Sequence, residues 1–215
     1  MKTFLLFGST GAVGSACEKK LSSAGRVVSG RKDYSLLNDQ LRNVSHLDGV
    51  VWAQGLNGND TVINFDPKAH NEMMQANLGF VFQTAQILLM DEKVSRGSNF
   101  VLFSSIWSEL SRPNKLSYAV SKAGISAAVR SMAVDLGETG IQVNAISPGP
   151  IDSPMTRANL SDDQIELIAN QTPLKRLVSL EEVANVACRF ANGEMPGITG
   201  QEIVVDGGWG VSKLV

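Results

Sequence analysis

The chain is short of cysteine, of net charge and of long apolar runs. Its only cysteines are Cys17 and Cys188. Both fall in stretches that read as helix, and neither has a Cys or His at metal-ligand spacing, so no metal site is expected. Buried free thiols in a reducing cytoplasm are the expected state. Formal net charge is −2 and like charges form no block, which gives no reason to expect nucleic-acid or membrane binding. The apolar runs fall well short of the ~18 residues that a bilayer span requires. Met1-Lys2-Thr3 followed by Phe4–Phe7 could pass for the start of a leader. The run breaks at Gly8, however, and four or five residues suit a buried strand better than a secretory core.

What is present is the composition of a globular protein, 43% apolar and 19% charged. A length of 215 residues suits a single domain over 1–215. Strand-like runs alternate with helical patterns. Strands are expected at Phe4–Phe7, Arg26–Ser29, Gly49–Ala53, Asn99–Ser104, Ile141–Ile146 and Glu202–Val205. Helices are expected at Val13–Ala24, Leu36–Leu47, Ala69–Met90, Tyr118–Leu136 and Leu180–Ala191. Such alternation indicates an α/β, Rossmann-like, doubly wound parallel sheet. Gly149–Arg176 has no clear pattern beyond a short helix at Asp162–Asn170.

Gly8-Ser9-Thr10-Gly11-Ala12-Val13-Gly14 joins the first strand to the first helix. Glycines at such a turn let backbone N–H groups approach a pyrophosphate at a helix N-terminus, although a plain strand–helix turn would also explain them. Arg31 and Lys32 follow the second strand, where the adenosine ribose sits in such folds. A guanidinium suits a 2′-phosphate, so NADP(H) is favoured and NAD(H) stays open; Asp33 could lie near the adenine. Tyr118 and Lys122 stand at i and i+4 on one helix face, and Ser105 ends the preceding strand. A fixed cation beside a phenol favours the phenolate, which makes tyrosine usable for acid–base work; an ordinary surface pair is the bland alternative.

Together these pieces resemble the short-chain dehydrogenase/reductase family over nearly the whole chain. The matching parts are the glycine turn, Ala53-Gln54-Gly55, Asn77, Ser104-Ser105, Tyr118/Lys122, Asn144–Ile151 and Thr199–Gly208. The tail most resembles the branch of 3-oxoacyl-carrier-protein reductases and related alcohol dehydrogenases. The resemblance implies hydride transfer between a nicotinamide cofactor and a carbonyl or alcohol, in a cytoplasmic enzyme. Tyr118 would be the general acid or base. Lys122 would lower the Tyr118 pKa and hold the nicotinamide ribose. Ser105 would orient the substrate oxygen, and Asn77 would hold a water linking Lys122 to solvent. Pro148, Gly149 and Ile151 would flank the nicotinamide, and Ser153 stands where the family has Thr. Gly8, Ser9, Thr10, Gly11, Val13, Gly14, Ala53, Gln54 and Gly55 would complete the cofactor site.

Two features depart from the family. The glycines read Gly-x-x-Gly-x-x-Gly, as in the longer, sugar-nucleotide-modifying branch, and Asn-Asn-Ala-Gly is replaced by Trp52-Ala53-Gln54-Gly55. Other functions remain conceivable: an NADP(H)-binding redox sensor without turnover, or a sugar-nucleotide epimerase or reductase. The resemblance also implies a homodimer or homotetramer through the two long helices, with Met73, Met74, Phe80 and Phe82 offering apolar surface. Only residues 31–49 separate the second strand from the next. One helix fits there, so the family's usual third strand is expected to be missing, leaving six parallel strands.

Overall fold

The computed structural model describes residues 1–30, 33 and 36–212. Lys2–Phe7 (β1), Gly25–Gly30 (β2), Gly49–Trp52 (β3), Asn99–Phe103 (β4), Gln142–Pro148 (β5) and Glu202–Val205 (β8) form one sheet. A two-residue pair, Ile151–Asp152 (β6) with Val178–Ser179 (β7), stands apart from it. The helices are Ala12–Leu21 (α1), Leu37–Gln40 (α2), Pro67–Met74 (α3), Phe80–Met90 (α4), Leu116–Leu136 (α5), Pro154–Asn159 (α6), Asp162–Gln171 (α7) and Leu180–Ala191 (α8).

Strand order is β2-β1-β3-β4-β5-β8, with every neighbour parallel. β1 therefore pairs directly with β3, Phe4 opposite Gly49, as the missing strand requires. Alternation along the strands builds two cores. Leu5, Phe7, Val50, Trp52, Phe100 and Leu102 face α2, α4 and α5. Phe4, Leu6, Val51, Val101 and Phe103 face α1 and α8. Trp52 is part of the first core. Its ring packs on Phe7 at 5.9 Å and edge-on to Phe100 at 5.0 Å, and its Nε1 donates to Thr84 Oγ1 at 2.8 Å.

The structure differs from the sequence reading in four places. The helix expected over Leu36–Leu47 is one turn, α2. The chain leaves it early because Leu47 N must reach Lys93 O, and Asp48 N must reach Thr3 O, each at 2.8 Å. Leu41, Val44 and Leu47 still enter the core from turns. The helix expected over Ala69–Met90 starts at Pro67, capped by Asp66, and is interrupted by a wider π turn at Gln75–Gly79. The patternless segment carries α6 as well as α7. Met73 and Phe80 are core, whereas Phe82 is 45% exposed.

Candidate active site

The carboxyl ends of β1, β3, β4 and β5 open onto one cleft of about 410 Å³. The glycine turn forms one side, and the geometry shows which glycines it needs. A Cβ on Gly14 would lie 2.0 Å from Gly8 O, and one on Gly8, at φ +81°, would lie 2.5 Å from Gln54 N. The turn, α1 and the end of β3 thus touch backbone to backbone. Gly11 is different: a Cβ there would meet only Gly8 O, at 3.4 Å. α1 begins at Gly11 with no side-chain cap and no acid in its first turn, so its leading N–H groups suit an anion.

The far side carries the candidate catalytic groups. Ser105, Tyr118 and Lys122 all line the cleft, with Ala53, Gln54, Gly55, Pro148, Gly149, Ile151 and Ser153. Gly11 and Val13 line it too, whereas Gly8, Ser9, Thr10, Gly14, Asn77 and Asp33 do not. Asp33 is exposed, and its carbonyl accepts from Leu36 N at 3.3 Å. Arg31 and Lys32, the expected 2′-phosphate ligands, lie outside the described residues. Ser153 Oγ accepts from Thr156 N at 3.2 Å and so starts α6.

Tyr118 and Lys122 are one turn apart on α5, with Lys122 Nζ 5.7 Å from the phenol ring centroid. Burial pushes the Tyr118 pKa up; the Ser105 hydroxyl beside it, and then Arg112, oppose that rise. Lys122 is itself held inside the site. Nζ is turned onto Phe103 O at 2.8 Å, and burial brings its own pKa down to about 8 against the pull of Glu202. Asn77 sits in the π turn, an irregularity that often marks functional positions. Its Oδ1 accepts from Leu56 N at 2.6 Å, and its Nδ2 donates to Leu56 O at 3.0 Å and Ser121 Oγ at 2.9 Å. A Cβ on Gly55 would lie 3.1 Å from Asn77 Oδ1 and 3.6 Å from Lys122 Nζ. The glycine therefore keeps open the gap between those two groups.

A polar cluster missed in the sequence anchors the start of α5. Asp60 Oδ1 accepts from Ser117 N at 3.0 Å, Asp60 Oδ2 accepts from Ser117 Oγ, and His70 Nδ1 lies 2.8 Å from that same hydroxyl. Asp60 thus caps the helix that bears Tyr118 from 57 residues away. Beside it, the buried Lys115 donates to Asn57 Oδ1, Gly58 O and Asn59 Oδ1. The one available signal was Lys115 at i−3 from Tyr118; the Asp60 contact depends on tertiary folding alone. The Ser117 hydroxyl holds the Asp60 carboxyl below its ordinary value. This group therefore stabilises the fold above about pH 4, and its contribution is lost as pH falls through the depressed value. Asp60→Asn is expected to cost about 1–2 kcal/mol at neutral pH. Chemical denaturation at pH 7 and pH 3 checks it: the difference from wild type should shrink in acid.

A cleft at the carboxyl edge of a parallel sheet, entered by a glycine turn, defines a nucleotide-binding α/β protein. The family described as enoyl-(acyl carrier protein) reductase matches residues 28–210. The 3-oxoacyl-[acyl-carrier-protein] reductase of Thermotoga maritima is 30% identical, covering 96% of this chain and 91% of its own. That of Escherichia coli is 29% identical over 174 residues, or 81% and 71%. Among solved structures, a gluconate 5-dehydrogenase from Burkholderia cenocepacia in complex with NADP and tartrate superposes with TM-score 0.88 at 21% identity, covering 99% of this chain and 96% of that one. The chain belongs to the short-chain dehydrogenase/reductase family, on the side of the 3-oxoacyl-carrier-protein reductases, and is an NAD(P)-dependent oxidoreductase.

Proposed function

We propose that the enzyme reduces a carbonyl, or oxidises the corresponding alcohol, with NADP(H) as its cofactor and Tyr118 as its general acid or base. The observation that carries this reading is the convergence of Ser105, Tyr118 and Lys122 on one cleft, opposite the glycine turn. The residues present fit a dinucleotide. The Gly8/Gly14 approach leaves the α1 N-terminus bare. The Gln54 side chain, with Nε2 and Oε1 both buried and without partners, needs a ligand for its amide. Gly8, Ser9, Thr10, Gly11, Val13 and Gly14 would hold the pyrophosphate end, with Ala53, Gln54 and Gly55 beside it. Pro148, Gly149, Ile151 and Ser153 would hold the nicotinamide end, and Arg31 and Asp33 the adenosine.

When bound, the nicotinamide supplies the hydride. Tyr118 gives its proton to the carbonyl oxygen as the alcohol forms, and Ser105 fixes that oxygen by a hydrogen bond. Lys122 holds the ribose and returns a proton to Tyr118. The space that Gly55 leaves between Lys122 Nζ and Asn77 Oδ1 suits a water bringing that proton from solvent. The NADP(H) preference rests on the Arg31 and Lys32 charges and on relatives of the reductase type. It predicts NADPH binding at least about tenfold tighter than NADH, with the difference lost in Arg31→Ala. Fluorescence titration measures both; equal affinities in wild type would contradict the cofactor choice.

The same reading makes the enzyme a cytoplasmic homodimer or homotetramer. Among the described residues no helix is long and apolar enough to cross a membrane. Val120 on α5, and Phe82 and Met90 on α4, are 44%, 45% and 75% exposed, which supports pairing of these helices between copies. A monomer by light scattering at micromolar concentration would contradict it. A sensor without turnover is disfavoured, because the full set of Asn77, Ser105, Tyr118 and Lys122 is retained.

A further inference from the structure

The ionisable groups lining the cleft are Arg112, Lys115, Tyr118 and Lys122. Three are bases, and no carboxylic acid is among the described lining residues. Lys122 is used inside the site, on Phe103 O. Lys115 ties down the 57–59 segment, and Arg112 makes no hydrogen bond or ion pair among the described residues. Lys115 is only 5% exposed, and its three partners, Asn57 Oδ1, Gly58 O and Asn59 Oδ1, are all neutral. Its carboxylate neighbour, Asp60, is engaged by Ser117. Burial, and then Arg112, work against its charge, and the nearby Asp60 carboxylate supports it in part.

Arg112 has no ion pair among the described residues, where the pairs are Arg42–Asp39, Arg157–Asp152 and Arg176–Glu182. Its guanidinium is nonetheless held, lying 5.5 Å over the Trp107 ring. Trp107 is braced edge-on by Trp209 at 5.7 Å, and Trp209 Nε1 donates to Gln171 Oε1 at 3.2 Å. A cation set on an aromatic platform at the open mouth of the cleft, beside a buried cation that has no ion pair among the described residues, suits an anion. Both cations are close to the reacting position. Lys115 Nζ lies 5.6 Å from the Tyr118 ring centroid, and the Arg112 charge is felt at the phenol.

We infer that the substrate is a short oxo acid, whose carboxylate lies between Arg112 and Lys115 while its carbonyl meets Ser105 and Tyr118. This rests on the carbonyl-reducing reading above. Hydride adds to the carbonyl carbon, the Tyr118 proton goes to its oxygen, and the carboxylate leaves unchanged, giving a hydroxy acid. Lys115, its donors already used, contributes charge; Arg112, with free N–H groups, makes the directed contact. A neutral acyl substrate would leave Arg112 without a counter-charge and Lys115 with only the distant support of Asp60.

The test uses pyruvate, acetoacetate and laevulinate, each beside its methyl ester, with NADPH and the intact protein. For at least one acid, kcat/KM should exceed that of its ester by about thirtyfold or more, as expected for a charge-assisted contact. Arg112→Leu should collapse that ratio towards one, mostly through KM, and Arg112→Lys should recover part of it. Esters reduced as well as their acids would overturn the oxo-acid assignment and leave the Tyr118 reading intact. If no carbonyl in the panel is turned over, calorimetric titration of the NADPH-loaded protein with laevulinate decides. Binding in wild type that Arg112→Leu abolishes supports the anion site even as the catalytic reading falls, and no binding overturns it.

Discussion

Tyr118→Phe is expected to lower kcat by about 10²- to 10⁴-fold, the range that positioned proton transfer supplies. The ring remains, so its packing on α5 and against the cleft is kept, and NADPH should bind within about twofold of wild type. Stability should not fall. The phenol is held above its ordinary pKa by burial, so it is neutral at pH 7, and the hydroxyl adds little beyond its contact with Ser105. Single-turnover kinetics and a cofactor titration on the same sample measure both effects. A variant keeping more than about a tenth of the rate would remove Tyr118 from the role of general acid.

Lys122→Met is expected to abolish turnover and yet strengthen the fold at neutral pH. The wild-type ammonium is buried, and its pKa is about 8 instead of 10.5. That depression corresponds to roughly 3 kcal/mol against the folded state while the group is charged. Losing the hydrogen bond to Phe103 O offsets about 1 kcal/mol of the gain. For a chain of this length the remainder should raise Tm by several degrees, at about 2–4 °C per kcal/mol. The sign with pH follows from the same shift. Between pH 8 and 10.5 the unfolded chain keeps a proton that the folded chain has released, so wild-type stability climbs with pH across that window. In Lys122→Met that climb should be absent. Urea denaturation at pH 7, 8, 9 and 10 measures it, and parallel curves for the two proteins would show that the ammonium is not strained by burial.

Much of this was legible in the sequence because it rests on local pattern. Short apolar runs between helical periods located the six strands, and α8 and β8 fall on the expected Leu180–Ala191 and Glu202–Val205; the capping box of Ser179 with Glu182 fixes the start of α8. The missing strand followed from counting residues between Arg31 and Gly49. What was illegible depends on contacts distant in the chain. Nothing near Leu41 says that the helix stops there; the pull of Lys93 and Thr3 on Leu47 and Asp48 decides it. The π turn at Asn77 has no sequence signature, since Gln75–Gly79 reads as ordinary helix. The Asp60–Ser117–His70 group and the neutral cage around Lys115 join residues that the primary structure keeps tens of positions apart. The i, i+4 spacing brings Lys122 to the cleft beside Tyr118, but the balance of burial against charge at its ammonium could not be read from that spacing.

The direct pairing of β1 with β3 has a cost at the other flank. Omitting a strand turns β2 into a sheet margin, with one row of backbone donors and acceptors beyond the ladder it shares with β1. Such a margin invites strand addition by a neighbouring molecule, and proteins commonly blunt it with short length, charge or an overlying segment. β2 has six residues, begins and ends in glycine and carries Arg26, and Gln40 of α2 reaches Ser29 O at 3.4 Å. Gln40 thus occupies one acceptor of that margin from the helix that follows it.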